Sequence, residues 1–402
     1  MDYTAGAPAF AGVDTHKETN MLALKDGLGR TVGVWEFPAD PEGYDALADA
    51  IGDASVPVGI EGARSYGAGL AQRLAERGYE VREVVRPRRE QRRRGKTDEI
   101  DALAACDNLA AGRSMPAKEM EGDAAALRWL MVAREQEVAH MTRLACCMDS
   151  MLVTAPYSVR ERWRGLGGAA LMRAVASCRP KDAPGRTMRE VARSWREAAG
   201  RAERLEAEIL ELMARSYPAL IGAPCVGAIS GARIVLAAGS NPGRLRSEAA
   251  FSMLCGTSPV PASSGNTTRH RLNRGGNRQA NRAIHEIARA RMAHDPRTKA
   301  YIARKMSEGK TKREAVRCLC RYIAREIYRL LTGPQEPPCD QSALAQRRKA
   351  CGLTQRQAAE GAGITRAKVG GLERLAEFHT ESLLRYDAFL REVEAKKGLD
   401  SI

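Results

Sequence analysis

Between Ala9 and Val85 short apolar runs recur in one order, and that order restricts the fold more than any other feature of the 402 residues. Ala9–Asp14, Asn20–Lys25 and Thr31–Phe37 read as three strands, joined by short turns that include Asp26-Gly27 and Gly29. A helix near Pro41–Ile51, an apolar strand Val56–Glu61, a helix near Tyr66–Arg77 and a strand Glu80–Val85 follow. Strands alternating with helices in this way predict an α/β domain.

Three meandering strands, then helix, strand, helix, strand, is the order of a ribonuclease-H-like (RuvC-like) α/β domain. Its consequence for chemistry is specific. Asp14 ends the first strand and Glu61 the fourth, and in such a sheet these two strands are neighbours, so the carboxylates meet at one edge. Two like charges gathered there are strongly unfavourable without a cation. In Gly95-Lys-Thr-Asp-Glu-Ile-Asp-Ala102 a second pair, Asp98 and Asp101, is spaced to share one helix face, with Glu99 pointing elsewhere. Capping of that helix by Thr97 or Asp98 is the purely structural alternative. Together the four acids form an all-oxygen set suited to Mg²⁺, and two divalent ions so held can activate an attacking oxygen and stabilise a leaving one at a phosphodiester.

The partner that such chemistry needs is indicated by charge. Lys and Arg number 64 against 49 Asp and Glu, a formal net charge of +15 that points to a polyanion, with nucleic acid first. The run Arg86–Arg94, with Arg88, Arg89, Arg92, Arg93, Arg94 and then Lys96, stands directly before the acidic helix and would draw a nucleic acid toward it; a solvated basic loop is the alternative. No apolar run is long enough to cross a bilayer, and MDYTAGAPAF lacks the layout of a signal peptide, so a cytoplasmic protein is expected. The 10 Cys show no C-x-x-C pair, which predicts reduced, mostly buried thiols rather than a zinc site.

The rest of the chain changes character. From about Glu119 to Leu220 it turns to Ala, Arg, Glu, Leu and Met at helical spacing, interrupted by Pro156, Pro180 and Pro184, which predicts a helical hairpin. Within it Ala198, Ala202, Leu205, Ile209 and Leu212 line one face, as in a coiled-coil arm or an internal packing helix. Leu220–Gly239 reads as a helix-hairpin-helix, Arg244–Leu331 as basic and helical, and Gly333–Pro338 as a linker. The expected domains are therefore 1–115 (catalytic), 116–218 (coiled-coil arm), 219–332 (basic helical domain), 333–340 (linker) and 341–402 (small helical domain). Inside the third, Gly256–Gly265 reads as an exposed Pro-, Ser- and Gly-rich loop, and the stretch after it, with Arg269, Arg271, Arg274 and Arg278, as a phosphate-binding surface.

Taken together, Gly12-Val-Asp-Thr-His-Lys17, Ile60-Glu-Gly62 with Tyr66, Lys96-Thr-Asp-Glu-Ile-Asp101, the Pro-Cys-Val-Gly227 hairpin and Phe251–Arg282 resemble the insertion-sequence transposases with a DEDD carboxylate tetrad, the bridge-RNA-guided recombinases related to pilin-gene inverting recombinases. The resemblance implies that Asp14, Glu61, Asp98 and Asp101 bind Mg²⁺ and that Ser264 is the nucleophile, with Ser263 the adjacent alternative. It also implies a phosphoserine-linked DNA strand, donor and target DNA, a non-coding bridge RNA encoded by the element, and a homo-oligomer. Nothing in the residues distinguishes RNA from DNA, and an aromatic content of 5% gives no evident stacking platform.

One segment departs from the family layout. Leu344–Ala359 with Ala362-Gly-Ile-Thr365 and Leu372-Glu-Arg374 resembles the helix-turn-helix of phage-repressor-like regulators. Gly370 and Gly371 in its presumed recognition helix offer no side chain to a base and each cost roughly 1 kcal/mol in a helix. Two rival functions follow: a metal-dependent junction-resolving nuclease with water as nucleophile, and a DNA-binding regulator built on this last segment.

Overall fold

The computed structural model describes residues 6–63, 65–84, 97–262, 270–271, 273, 275–335, 343–374 and 380–397. They divide into two compact units, the first formed by residues 1–119 with 239–246 and the second by 120–238 with 247–402.

The first unit is built on six strands: β1 (Pro8–Thr15), β2 (Thr19–Asp26), β3 (Thr31–Pro38), β4 (Val58–Glu61), β5 (Val81–Val84) and β6 (Ser114–Pro116), in the order β3-β2-β1-β4-β5-β6. β1, β2 and β3 pair antiparallel, β4 and β5 extend the sheet in parallel, and β6 closes it antiparallel. This mixed sheet is compatible with the ribonuclease-H-like fold expected from the element order. The three-residue β6 was not foreseen, because Ser-Met-Pro carries no strand pattern of its own.

Helix α1 (Pro41–Ile51) starts where Asp40 accepts a hydrogen bond from the Gly43 N–H at 2.7 Å, and α2 (Ala68–Glu76) follows β4. Both bury Leu47, Ile51, Leu70 and Leu74 against Val13, Leu22 and Leu24 of the sheet. Helix α3 (Asp98–Ala110) covers separate clusters, with Ala102 and Cys106 on Ala23 and with Ala105 and Leu109 on Val84.

Two glycines set how close α3 comes. A Cβ on Gly12 would lie 2.5 Å from both the Ala102 carbonyl oxygen and the Cys106 nitrogen, and one on Gly59 would lie 2.9 Å from Val84 and 3.4 Å from the Ala105 oxygen. Only bare backbone at these positions lets the helix rest directly on β1 and β4.

The second unit is helical. Helix α4 (Gly122–Thr154) is followed by α5 (Tyr157–Arg162), α6 (Gly168–Ser177) and α7 (Ala183–Ser216). The pairs Asp123–Arg215, Arg134–Glu206 and Glu137–Arg201 run in opposite directions along α4 and α7, which defines an antiparallel helical hairpin. On α7 Ala198, Ala202 and Ile209 are buried, while Leu205 and Leu212 are only half-buried. Pro184 opens α7 in its first turn, where the missing N–H costs nothing. Cys106, Cys255, Cys320 and Cys351 are buried, but Cys146 and Cys147 on α4 are exposed, contrary to the expectation of mostly buried thiols.

Beyond the hairpin come α8 (Pro218–Ile221), α9 (Ala228–Ala238), α10 (Glu248–Leu254), β7 (Val260–Pro261), β8 (His270–Arg271), α11 (Arg278–His294), α12 (Pro296–Ser307) and α13 (Lys312–Thr332). The turn between α8 and α9 has Cys225 at φ 60°, and Arg291 of α11 donates from Nε to the Pro224 carbonyl at 3.0 Å while pairing with Glu326. Reading Gly256–Gly265 as a plain loop needs correction: its Val260–Pro261 pairs antiparallel with His270–Arg271, so part of that stretch is strand. Two-residue strands are too short for alternation to show in sequence.

Four helices end the chain: α14 (Leu344–Ala350), α15 (Gln355–Gly361), α16 (Arg366–Glu373) and α17 (Thr380–Lys397), closed around Leu344, Val369, Leu372, Tyr386 and Leu390. Gly370 and Gly371 lie on the buried side of α16, whereas Arg366 and Ala367 at its start are exposed. Among the described residues no helix is long and apolar enough to cross a membrane.

Candidate active site

The register of β1 and β4 sets Asp14 directly opposite Glu61. Side chains alternate along a strand, so each acid, two residues after Gly12 or Gly59, emerges on the face that those glycines open to α3. The first turn of α3 brings the second pair. Thr97 caps it, accepting from the Ile100 N–H at 3.3 Å, and Asp98, Glu99 and Asp101 all stand in that turn, where carboxylates favour the helix dipole.

Asp14, Glu61 and Asp101 are buried, and Asp98 is half-exposed. Asp14 feels the other three as charges: burial pushes its carboxyl up, the His16 imidazole opposes that, and Glu61, Asp101 and Asp98 push it up further. The four acids named from the sequence are thus gathered at one place within the first unit, drawn from β1, β4 and α3. Glu99, expected to point elsewhere, is exposed.

A fifth residue was missed. His16 Nε2 lies 3.2 Å from Asp14 Oδ2 and 3.2 Å from Asp98 Oδ1. Neither contact is aligned as a hydrogen bond, so this buried nitrogen has no hydrogen-bond partner among the described residues. One donor atom from each of Asp14, His16 and Asp98 falls within 4.8 Å of the others, an O, N, O set that fits a divalent cation. The signal was present as Asp14-Thr-His16, a histidine just past the end of β1, but a lone histidine carries no ligand spacing that sequence can recognise.

The remaining expected residues are distributed differently. Ser264, with its alternative Ser263, falls outside the described residues, as do Arg88, Arg89, Arg92, Arg93, Arg94, Lys96, Arg269 and Arg274. Arg271 on β8 and Arg278 at the first position of α11 are described, exposed, and belong to the second unit.

Comparison with known proteins bears on both units. A family profile for DEDD transposases of the IS110 type matches residues 11–155, which include every acid of the cluster. A second profile, described as the transposase IS116/IS110/IS902 family, matches residues 218–303 and so spans the hairpin-helix turn, β7, β8 and most of α12. No curated protein matches the chain.

Proposed function

Because the chain belongs to the IS110 family of DEDD transposases, enzymes that act on DNA, we propose that it cuts and rejoins DNA strands through a serine nucleophile beside a Mg²⁺-binding carboxylate cluster. The observation that supports this reading is that Asp14 feels the charges of Glu61, Asp101 and Asp98, with His16 set against Asp14 and Asp98.

In this reading the domains are 1–115 (DEDD catalytic), 116–218 (coiled-coil arm), 219–332 (transposase domain with the serine), 333–340 (linker) and 341–402 (helix-turn-helix). Asp14, Glu61, Asp98 and Asp101, with His16 beside them, would hold the cation. Once bound, it supplies charge stabilisation for a phosphodiester under attack. Asp14 and Glu61, fixed by the sheet, are the rigid side of that cluster; Asp98 and Asp101 depend on α3 staying seated on Gly12 and Gly59. The nitrogen of His16 beside the carboxylates also admits Mn²⁺, which accepts imidazole more readily than Mg²⁺ does.

Ser264 attacks a DNA phosphate: its hydroxyl gives its proton to solvent as its oxygen forms a bond to phosphorus, the 3′-oxygen of the broken strand leaves and takes up a proton from solvent, and the phosphoserine link conserves the bond for rejoining. Arg88, Arg89, Arg92, Arg93, Arg94 and Lys96, with Arg269, Arg271, Arg274 and Arg278, hold phosphates. Donor and target DNA are selected by pairing with a bridge RNA, and the protein works in the cytoplasm as a homo-oligomer.

The test is trapping on denaturing gels. Wild type with Mg²⁺ should leave a protein–DNA adduct that Ser264→Ala abolishes, while Asp14→Ala, Glu61→Ala, Asp98→Ala and Asp101→Ala each lose strand exchange without unfolding. Cleavage that persists in Ser264→Ala with no adduct in wild type refutes the serine mechanism in favour of a metal-dependent nuclease.

A further inference from the structure

At the root of the β7–β8 hairpin the second unit holds a cavity of about 550 Å³, in the size range of small-ligand sites. Its wall begins with Gly256–Pro259 leading into β7 and continues with Arg271 and Asn273 leaving β8. The opposite side is α13 with the residue ahead of its cap: Lys310, Glu314, Arg317 and Arg321 follow at three- or four-residue intervals and share one face.

Charge is distributed unevenly over this lining. Arg271, Lys310, Arg317 and Arg321 are all exposed at the rim, and among the described residues none of them forms an ion pair with a carboxylate. The one acid of the wall, Glu314, is turned back on its own helix, where its carboxylate accepts from the Thr311 N–H at 2.9 Å and the Thr311 hydroxyl at 2.7 Å. The floor carries no charge of either sign. Gly256, Ser258 and Cys320 are buried, and burial pushes the Cys320 thiol up to about 12, so it stays protonated. His285 stands 3.5 Å from its sulfur, and burial followed by the charges of Arg289 and Arg317 pushes the imidazole down, toward the neutral form.

Four cations against the single carboxylate of Glu314, which feels Lys310 and Arg317, leave a net positive rim around a neutral, roomy floor, and this matches the chemistry of one nucleotide, an anion attached to a flat polar ring. A lone inorganic anion would leave most of the volume unused. We propose that this cavity takes a single nucleotide of a nucleic-acid strand, its phosphate on Arg271, Lys310, Arg317 and Arg321 and its sugar and base toward Ser258, His285 and Cys320. In sequence the cavity's lining residues Gly256–Pro259 and Arg271 flank the segment that carries Ser264, the proposed nucleophile, which itself lies outside the described residues. The inference rests on the strand-transfer reading for its purpose, but not for its test.

The test is binding in EDTA, where no chemistry runs, so a missing covalent adduct would leave it standing. Fluorescence anisotropy would follow the full chain with labelled 12-nucleotide single strands of DNA and of RNA of equal sequence. The double variant Arg317→Ala/Arg321→Ala should weaken binding about tenfold and lower the slope of log K against log salt by about 1.4, roughly 0.7 per lost contact. Arg297→Ala/Lys299→Ala, an exposed pair on α12, removes the same charge and should change affinity less than about twofold. Cys318→Phe narrows the half-buried wall without altering charge and should weaken binding with the salt slope intact, while Cys318→Ala binds as wild type does. Tighter retention of the DNA strand identifies a donor or target strand as the occupant, and tighter retention of the RNA identifies the guide. Equal losses from the α12 pair and the α13 pair overturn the proposal in favour of a diffuse basic surface. An unaffected Cys318→Phe, verified as folded by its unfolding midpoint, overturns the nucleotide-sized occupant.

Discussion

Gly12→Ala probes the seat of α3 with a single methyl group. Its Cβ would stand 2.5 Å from two backbone atoms of the helix, against the 3.4 Å at which ordinary contact begins, so α3 must withdraw from β1 by about 0.9 Å. Backbone atoms inside a helix cannot turn aside as a side chain can, so the whole element moves. Overpacking of this kind costs about 1–3 kcal/mol, and each kcal/mol lowers Tm by roughly 2–4 °C in a domain of this scale. The larger effect concerns function. Withdrawal carries Asp98 and Asp101 away from Asp14 and Glu61, and a misplacement near 1 Å can cost on the order of a hundredfold in rate. The assay is a thermal unfolding curve paired with Mg²⁺-dependent strand transfer, measured well below the lowered midpoint. Gly59→Ala, with its nearest new contact to a movable Val84 methyl, should lose less of both. A Gly12→Ala protein with wild-type Tm and full activity would refute the claim that bare backbone at this position positions the tetrad.

Asp14→Asn should raise the stability of the metal-free protein and remove the stabilisation that Mg²⁺ or Mn²⁺ is expected to give the wild type. Burial, then the charges of Glu61, Asp101 and Asp98, disfavour the ionised Asp14 carboxyl more than His16 favours it, so the neutral amide should raise the midpoint, readable by differential scanning fluorimetry in EDTA. The sign with pH follows from the raised value of Asp14: the wild-type carboxyl contributes its full stability below the ordinary carboxylate range and loses it as pH rises through the folded-state value. The gap between variant and wild type should therefore close on acidification, and a gap that widened instead would contradict the assignment. In the last domain Glu373 accepts from Arg348, Gln355 and Tyr386. Glu373→Gln strands the buried Arg348 cation and should destabilise that domain by about 3–5 kcal/mol in urea unfolding followed by tyrosine fluorescence. Deletion of residues 341–402 should leave adduct formation intact, and its loss would favour a regulator built on the terminal helices.

Much of the first unit is legible in the sequence. Two apolar strands and a third that alternates, their turns and the helix Pro41–Ile51 follow from local pattern, and α1 has those very bounds. The placement of Asp14 opposite Glu61 also follows, because the fold order makes β1 and β4 neighbours and both acids end apolar runs. What escaped were features with too few residues to establish a period: β6, and the paired ends β7 and β8. That Gly370 and Gly371 lie on the core side of α16 was also beyond the sequence, which names the residues of a helix but not which side of it meets the core.

The chain's own order of residues determined that acids would end strands and start a helix, with a basic run just before that helix in sequence and a serine-bearing run far downstream. Those are local matters of hydrophobic period, capping and charge. Tertiary structure alone decided that α3 presses onto Gly12 and Gly59, that His16 reaches between two carboxylates, and that Arg271 and the basic face of α13 share one cavity. Each depends on the distance between segments remote in sequence, and that distance is set by how side chains, or their absence, let the elements pack.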